Sequence, residues 1–180
     1  HSVVVNQRTP VEACHSSSKT HTAGKIVCWW LSCFKPSIVV TTAPTGTQVE
    51  MLLWGEIRKA YRTAKFNLGG NMLPSAPLWK IAEDHYAIGL STKEPDRFQG
   101  FHVPNGRVLI IFDEASGIPK MIWDSLDALL VNPNTRFLAI GNPLRPTGDF
   151  YDICRKSTNR IRISGYEAVK YSKDILGLIS

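Results

Sequence analysis

Apolar residues along this chain follow two rhythms. Short β-branched or aliphatic runs alternate with longer stretches in which apolar positions recur every three or four residues. These are the patterns of buried strands and of amphipathic helices. Strands are predicted at Val3–Val5, Pro10–Cys14, Ser37–Thr42, Arg107–Asp113, Arg136–Gly141 and the alternating Arg160–Ser164. A helix is predicted over Lys19–Phe34, with Ile26, Trp29, Trp30 and Phe34 on its apolar face and Pro36 just past its end. A second covers Thr45–Thr63, with Val49, Leu52, Leu53, Ile57 and Ala60 at helical spacing. Lys120–Leu130 and Asp149–Lys156 are two more, and Gly69–Pro77 and Thr92–Gly106 read as loops.

Strands alternating with helices imply an α/β fold, a mostly parallel central sheet flanked by helices. Leu78–Ser91 breaks that rhythm. It reads as two strands around the Glu83-Asp84 turn with no helix between them. An antiparallel addition to the sheet is expected there.

Composition narrows the class. With 180 residues, 43% of them apolar, the chain suits one domain with a sizeable core. Its formal charge of +6, from 21 basic and 15 acidic residues, fits a polyanion partner and equally an ordinary basic protein. The four cysteines, Cys14, Cys28, Cys33 and Cys154, form no C-x-x-C pair. They read as reduced thiols of a cytosolic protein. No apolar run approaches the ~20 residues needed to span a bilayer, so no membrane partner is expected. The opening HSVVV lacks the basic and apolar regions of a signal peptide. It also lacks an initiator Met, as expected of an excised domain or a processed fragment.

Three short motifs carry candidate chemistry. The first is ACHSSSKT, Ala13–Thr20. Lys19-Thr20 opens a helix directly after a strand, the context of a phosphate loop. In such a loop backbone N–H groups face the anion, Lys reaches the β/γ-phosphates and the Thr hydroxyl binds Mg²⁺. The glycines of G-x-x-x-x-G-K-[ST] are replaced by Ala13 and Ser18. Taken alone, SSSKT also suits a helix N-cap. The second motif is VLIIFDEAS, an apolar strand ending in Asp113 and Glu114. One carboxylate at such a strand end can hold Mg²⁺ and the next can orient an attacking water. It can equally be a solvated acidic turn. The third is FLAIGNP, where Asn142 follows a buried strand. If that strand runs parallel to the one before Asp113, Asn142 lies at the same sheet edge. Otherwise it is an Asn-Pro turn.

With these motifs in place, the chain resembles the ATPase domain of the large terminase subunit, the motor that packages DNA into tailed-phage capsids. The resemblance covers nearly the whole chain. It is carried by ACHSSSKTHTA, IVVTTAPTGTQVEMLLWGEIR, YAIGLSTKEPDRFQGFH, VLIIFDEASGIPKMIWDSLDALL and LAIGNPLRPTGDFYD. It implies a P-loop NTPase of the additional-strand, catalytic-Glu type, with ATP and Mg²⁺ as cofactors. The loop Ala13, Cys14, His15, Ser16, Ser17, Ser18, Lys19 and Thr20 would bind nucleotide. Thr20 and Asp113 would hold the metal, and Glu114 would activate water. Asn142 would belong to the coupling motif, and Thr42–Thr45 is similar to the helicase motif that links the ATP site to DNA.

The chain departs from the family at Ser18, where a glycine is usual, and at His15, where some terminases carry an Arg four residues before the Lys. Glu12 adds a negative charge just upstream. An arginine finger, from this chain or a neighbour, has two candidates, Arg97 and Arg145. Arg58, Lys59, Arg62 and Lys65 are candidates for phosphate contacts with double-stranded DNA. Residues 1–165 are expected to form the ATPase domain, and 166–180 an extension toward an absent nuclease domain. The implied activity is ATP hydrolysis driving DNA into a procapsid, in the host cytoplasm. The implied partners are the portal, the small terminase subunit and further copies in a ring. The alternatives are a non-catalytic nucleotide- or DNA-binding assembly module and a helicase-like ATPase of another kind.

Overall fold

The structure, a computed structural model, describes residues 1–14, 17–98, 100–144 and 146–164. The expected extension 166–180 lies outside the described residues.

A helical turn, α1 (Ser2–Val5), precedes β1 (Arg8–Ala13) and α2 (Lys19–Cys33). Then come β2 (Ser37–Thr42), a π-helical turn over Gln48–Leu53 and α3 (Trp54–Arg62). The strands β3 (Asn71–Met72), β4 (Leu78–Ala82), β5 (His85–Gly89) and β6 (Arg107–Phe112) lead to α4 (Lys120–Leu129). The last elements are β7 (Thr135–Gly141), α5 (Asp149–Lys156) and β8 (Ile161–Ile163). The strands form one eight-stranded sheet in the order β3-β4-β5-β2-β6-β7-β1-β8. β5, β2, β6, β7, β1 and β8 pair in parallel, and β3 and β4 add antiparallel at one edge.

Alternation along the central strands divides the core. Val39, Leu109, Ile111, Leu138 and Ile140 face α2 and α3, where Val27, Trp30, Leu31, Trp54 and Ile57 complete one cluster. Val40, Ile110, Phe112, Phe137 and Ala139 face the other way onto Ile122, Trp123, Phe150 and Cys154 of α4 and α5. Both faces are covered, which is why β2 is buried along its whole length and β6 is almost continuously apolar. Helices α2 and α3 touch at backbone distance. A Cβ on Gly24 would lie 2.9 Å from the Glu56 carbonyl carbon, so only glycine fits at that crossing.

Several expectations change in the folded chain. Val3–Val5 is helical, not extended: the Asn6 side-chain amide donates to the Ser2 carbonyl and closes the turn, while Val3 drops into the core. β1 begins two residues earlier than expected. Pro10 is tolerated there because β8 pairs with β1 only from Val11 onward, so no ladder bond on that side needs a Pro10 N–H. The buried stripe of α2 is Ala23, Val27, Trp30 and Leu31, while Trp29 is 41% exposed. The predicted helix over Thr45–Thr63 starts as a π-turn. The wider winding turns Leu52 into solvent along with Met51 and keeps Val49 and Leu53 inside. Inside the expected Gly69–Pro77 loop, Asn71–Met72 pairs with Trp79–Lys80 as a short edge strand. Among the described residues no helix is long and apolar enough to cross a membrane.

Candidate functional site

Because β1, β2, β6 and β7 run parallel, their C-terminal ends share one sheet edge. That edge gathers the three motifs: the loop between β1 and α2, Asp113-Glu114 after β6 and Asn142 after β7. In doubly wound sheets ligands bind beyond the carboxyl ends of the strands.

Thr20, in the first turn of α2, donates its hydroxyl to Asp113 Oδ2 at 2.8 Å. The neighbouring Lys19 ammonium lies 3.9 Å from Glu114 Oε1 and donates to the Cys14 carbonyl at 2.8 Å. Ser17 Oγ donates to the same carbonyl, also at 2.8 Å. Asp113 is anchored by its own N–H, which donates to the Thr42 carbonyl at 2.9 Å. Its Oδ1 accepts the Glu114 N–H at 3.1 Å. Asp113 is 3% exposed and Lys19 8% exposed. Burial pushes the Asp113 carboxyl above the ordinary carboxylate value; the Thr20 hydrogen bond opposes that rise and the adjacent Glu114 charge adds to it. A buried carboxylate beside a hydroxyl is a hard-oxygen donor set. It suits Mg²⁺, which takes few protein ligands and keeps waters or substrate oxygens as the rest.

Two backbone conformations stand out. Ser18 sits at φ 59°, ψ 27° and Glu114 at φ 48°, ψ 47°, both left-handed. At Ser18 the usual glycine is missing, but the backbone keeps the conformation that favours glycine. Around Glu114 the packing is tight. A Cβ on Gly117 would lie 2.7 Å from Pro44 Cγ, and one on Gly141 would lie 3.1 Å from the Ala115 nitrogen and from the Phe150 ring. The turn carrying Glu114 is thus wedged between the ends of β2 and β7.

Ala13, Cys14, Ser17, Ser18, Lys19, Thr20, Asp113 and Glu114 come together, and Asn142 lies on the same edge. His15, Ser16 and Arg145 lie outside the described residues. Arg97, on the Pro95–Phe98 turn, is ion-paired with Glu94 at 2.7 Å. Glu12 is partnered: its carboxylate lies 3.4 Å from Arg160 and 4.0 Å from Arg162. The charge expected to burden the phosphate loop is therefore offset by two guanidinium groups.

Thr41 and Thr42 are tied down. Their hydroxyls donate to the carbonyls of Ile88 and Leu90, and Thr92 returns a bond to the Pro44 carbonyl at 3.0 Å. These bonds connect the Thr42–Thr45 segment to the end of β5.

Of the basic cluster, Arg58 is not free for DNA. Its guanidinium donates to the carbonyls of Leu73, Glu50 and Ala76. Lys59, Arg62 and Lys65 remain exposed.

Sequence reasoning missed an apolar cavity of about 400 Å³ between α2 and the β1–β7–β8 part of the sheet. It is walled by Val11, Ile26, Trp29, Leu138, Ile140 and Ile163 and reaches Ser17, Lys19 and Thr22. The exposed Trp29, misassigned to the buried face, was its only trace in the sequence.

No family model matches this chain, and no curated protein matches it in sequence. Solved structures do. The Thermus phage P74-26 large terminase ATPase domain superimposes with a TM-score of 0.72 at 16% identity, over 97% of this chain and 82% of that one. The fold is that of a large-terminase ATPase domain. A large terminase from a thermophilic bacteriophage, solved in complex with ADP, gives 0.71 at 14% identity over 98% of this chain. The HK97 bacteriophage large terminase gives 0.64 at 15% over 88%. This chain spans 45% and 35% of those two large terminases. The likeness shows that this chain has the α/β fold of large-terminase ATPase domains.

Proposed function

We propose that this chain is the ATPase domain of a phage large terminase, hydrolysing ATP to drive double-stranded DNA into a procapsid. The observation that carries the reading is the convergence of Lys19 and Thr20 on Glu114 and Asp113 at one sheet edge, through the 2.8 Å Thr20–Asp113 bond and the 3.9 Å Lys19–Glu114 pair. In this reading Lys19 and the loop N–H groups bind the β/γ-phosphates. Thr20 and Asp113 hold Mg²⁺, which would neutralise charge on the phosphates. Glu114 orients the attacking water, and Asn142 senses the γ-phosphate from the next strand. Arg97 or Arg145 serves as the finger for a neighbouring copy in a ring. Lys59, Arg62 and Lys65 face the DNA backbone. Structural relatives solved with ADP and with ATP-γ-S support nucleotide binding. Portal and small subunit are the corresponding assembly partners, and the host cytoplasm the place of action.

Steady-state ATP hydrolysis with and without Mg²⁺ and DNA tests this, comparing wild type with Glu114→Gln. Turnover that is Mg²⁺-dependent and lost in Glu114→Gln supports the motor reading. The engagement of Lys19 with the Cys14 carbonyl favours a second reading, a nucleotide-binding assembly module. Binding without turnover, with or without DNA, selects that one.

A further inference from the structure

The phosphate loop here lacks the glycines that normally set its width, and a side chain closes it instead. Ser17 Oγ donates to the carbonyl of Cys14, three residues back, at 2.8 Å. The Lys19 ammonium takes the same carbonyl at 2.8 Å. A carbonyl oxygen has two acceptor sites, and these two donors fill them. The next residue, Ser18, is left-handed at φ 59°. Ser17 is thus fixed at the point where the loop turns into α2.

From this geometry we infer that Ser17 is a positioning residue of the phosphate loop, acting through the Cys14 carbonyl on Lys19. The inference rests on the nucleotide-binding reading above. A Lys19 ammonium that advances toward a phosphate weakens its hold on Cys14. Ser17 then keeps the carbonyl partnered. Without the Ser17 hydroxyl, that advance would leave a half-buried carbonyl unpaired, a cost set directly against nucleotide binding. The serine would thus do with a side chain part of what glycine-rich loops do with backbone alone.

The experiment measures the affinity of the whole chain for a fluorescent ATP analogue with Mg²⁺, for wild type, Ser17→Ala and Ser17→Thr. Ser17→Ala is expected to weaken binding about tenfold, equivalent to about 1.4 kcal/mol. Ser17→Thr restores the hydroxyl, and Ser17 borders the apolar cavity, which leaves room for the added methyl. Binding within about twofold of wild type is expected for it. A general loss of packing would not be rescued by regaining one hydroxyl. Wild-type affinity in Ser17→Ala, or a Ser17→Thr protein no better than Ser17→Ala, overturns the inference and leaves the ATPase reading standing. A wild-type protein that binds no analogue overturns that reading instead. A crystal structure of the ADP complex provides the second arm. Ser17 Oγ should remain on the Cys14 carbonyl; finding it turned onto a phosphate oxygen would make Ser17 a direct ligand and sink the positioning role.

Discussion

Thr20 and Asp113 lie 93 residues apart in sequence and are joined by a 2.8 Å hydrogen bond at the sheet edge. The bond gives a buried carboxylate its only side-chain donor among the described residues. Thr20→Val keeps the shape and removes the hydroxyl. It should cost about 1–2 kcal/mol in stability, because the Asp113 carboxylate loses a partner it cannot replace with water. ATP turnover should fall about hundredfold or more in Thr20→Val and in Asp113→Asn. The double variant should be little worse than either single one, as expected of residues acting as a unit. Rate against Mg²⁺ concentration, with denaturant unfolding of the same proteins, checks both effects.

Ser18 holds a left-handed backbone at φ 59° where glycine would be at ease. Non-glycine residues there lose roughly 1–2 kcal/mol. Glycine gives back about 0.4–1 kcal/mol through the freer unfolded chain. Ser18→Gly should therefore stabilise the protein by a net of about 0.5 kcal/mol. Ser18→Val, branched at Cβ, should destabilise by about 1 kcal/mol or more. Denaturant midpoints at constant slope decide. A Ser18→Gly protein less stable than wild type would mean that the hydroxyl has a role the strain does not reveal.

The elements that sequence patterning reads well are those whose period is imposed by burial on both faces. The middles of β2, β6 and β7 (Ile38–Val40, Val108–Phe112 and Phe137–Ile140) are apolar because helices cover both sides of the sheet, so their positions are visible as unbroken runs. α2 is harder. It is crowded with aromatic residues, and only the sheet decides that Trp30 is buried while Trp29 faces out. The π-turn at Gln48–Leu53 has no period of its own, and helical spacing placed Leu52 on the wrong side. In the site, residue types were legible: Lys-Thr, Asp-Glu and Gly-Asn each carry chemistry in their side chains. What holds them was not. The wedge of Gly117 against Pro44 arises from backbone paths that meet only in the folded sheet, and the left-handed Glu114 and the Ser17–Cys14 bond are set by local backbone turns that residue type does not reveal.

The Gly117–Pro44 approach makes a separate prediction. A Cβ at Gly117 would sit 2.7 Å from Pro44 Cγ and 3.2 Å from its Cβ, both parts of a rigid ring. Gly117→Ala must therefore push the Ala115–Gly117 turn, and Glu114 with it. A shift of this kind at the reacting centre costs about tenfold to hundredfold in rate. Nucleotide affinity, set mainly by the loop on the other side, should change by less than about threefold. Gly55→Ala is the control: a Cβ there meets nothing within 4 Å in α3, and alanine should stabilise that helix by about 0.5–1 kcal/mol.

Arg58 and its neighbours should separate stability from DNA binding. The Arg58 guanidinium bonds three carbonyls on two segments and lies 5.8 Å from the Trp54 ring centroid. Arg58→Ala should destabilise the domain by about 1–2 kcal/mol, through lost bonds and lost packing of its stem. Lys59→Ala, Arg62→Ala and Lys65→Ala should stay within about 0.5 kcal/mol of wild type. Each of those three should lower the slope of log affinity for duplex DNA against log salt by about 0.9. Unchanged slopes in all three would remove this surface from the DNA path.

The four cysteines should react in order of burial and charge. Cys33 is exposed and Cys14 half-buried at the loop between β1 and α2, while Cys28 and Cys154 are buried. Burial pushes Cys28 up to about 11. It also pushes Cys154 up to about 11, with the nearby Glu12 charge adding to the rise. The thiolate is the nucleophile. A raised value means the reactive form is lost as pH falls below it, so at pH 8 only on the order of a thousandth of each buried thiol is ionised. Iodoacetamide at pH 8 should therefore modify Cys33 first and Cys14 second, and leave Cys28 and Cys154 intact until the protein unfolds. Raising the pH toward 10 should speed the buried pair by about tenfold per unit, so long as the fold survives. Mg²⁺-ATP should slow modification of Cys14 and leave Cys33 unchanged, because only Cys14 adjoins the loop. Mass spectrometry of peptides over time resolves all four sites. A Cys14 rate indifferent to nucleotide would show that the ligand, if bound, does not cover this loop.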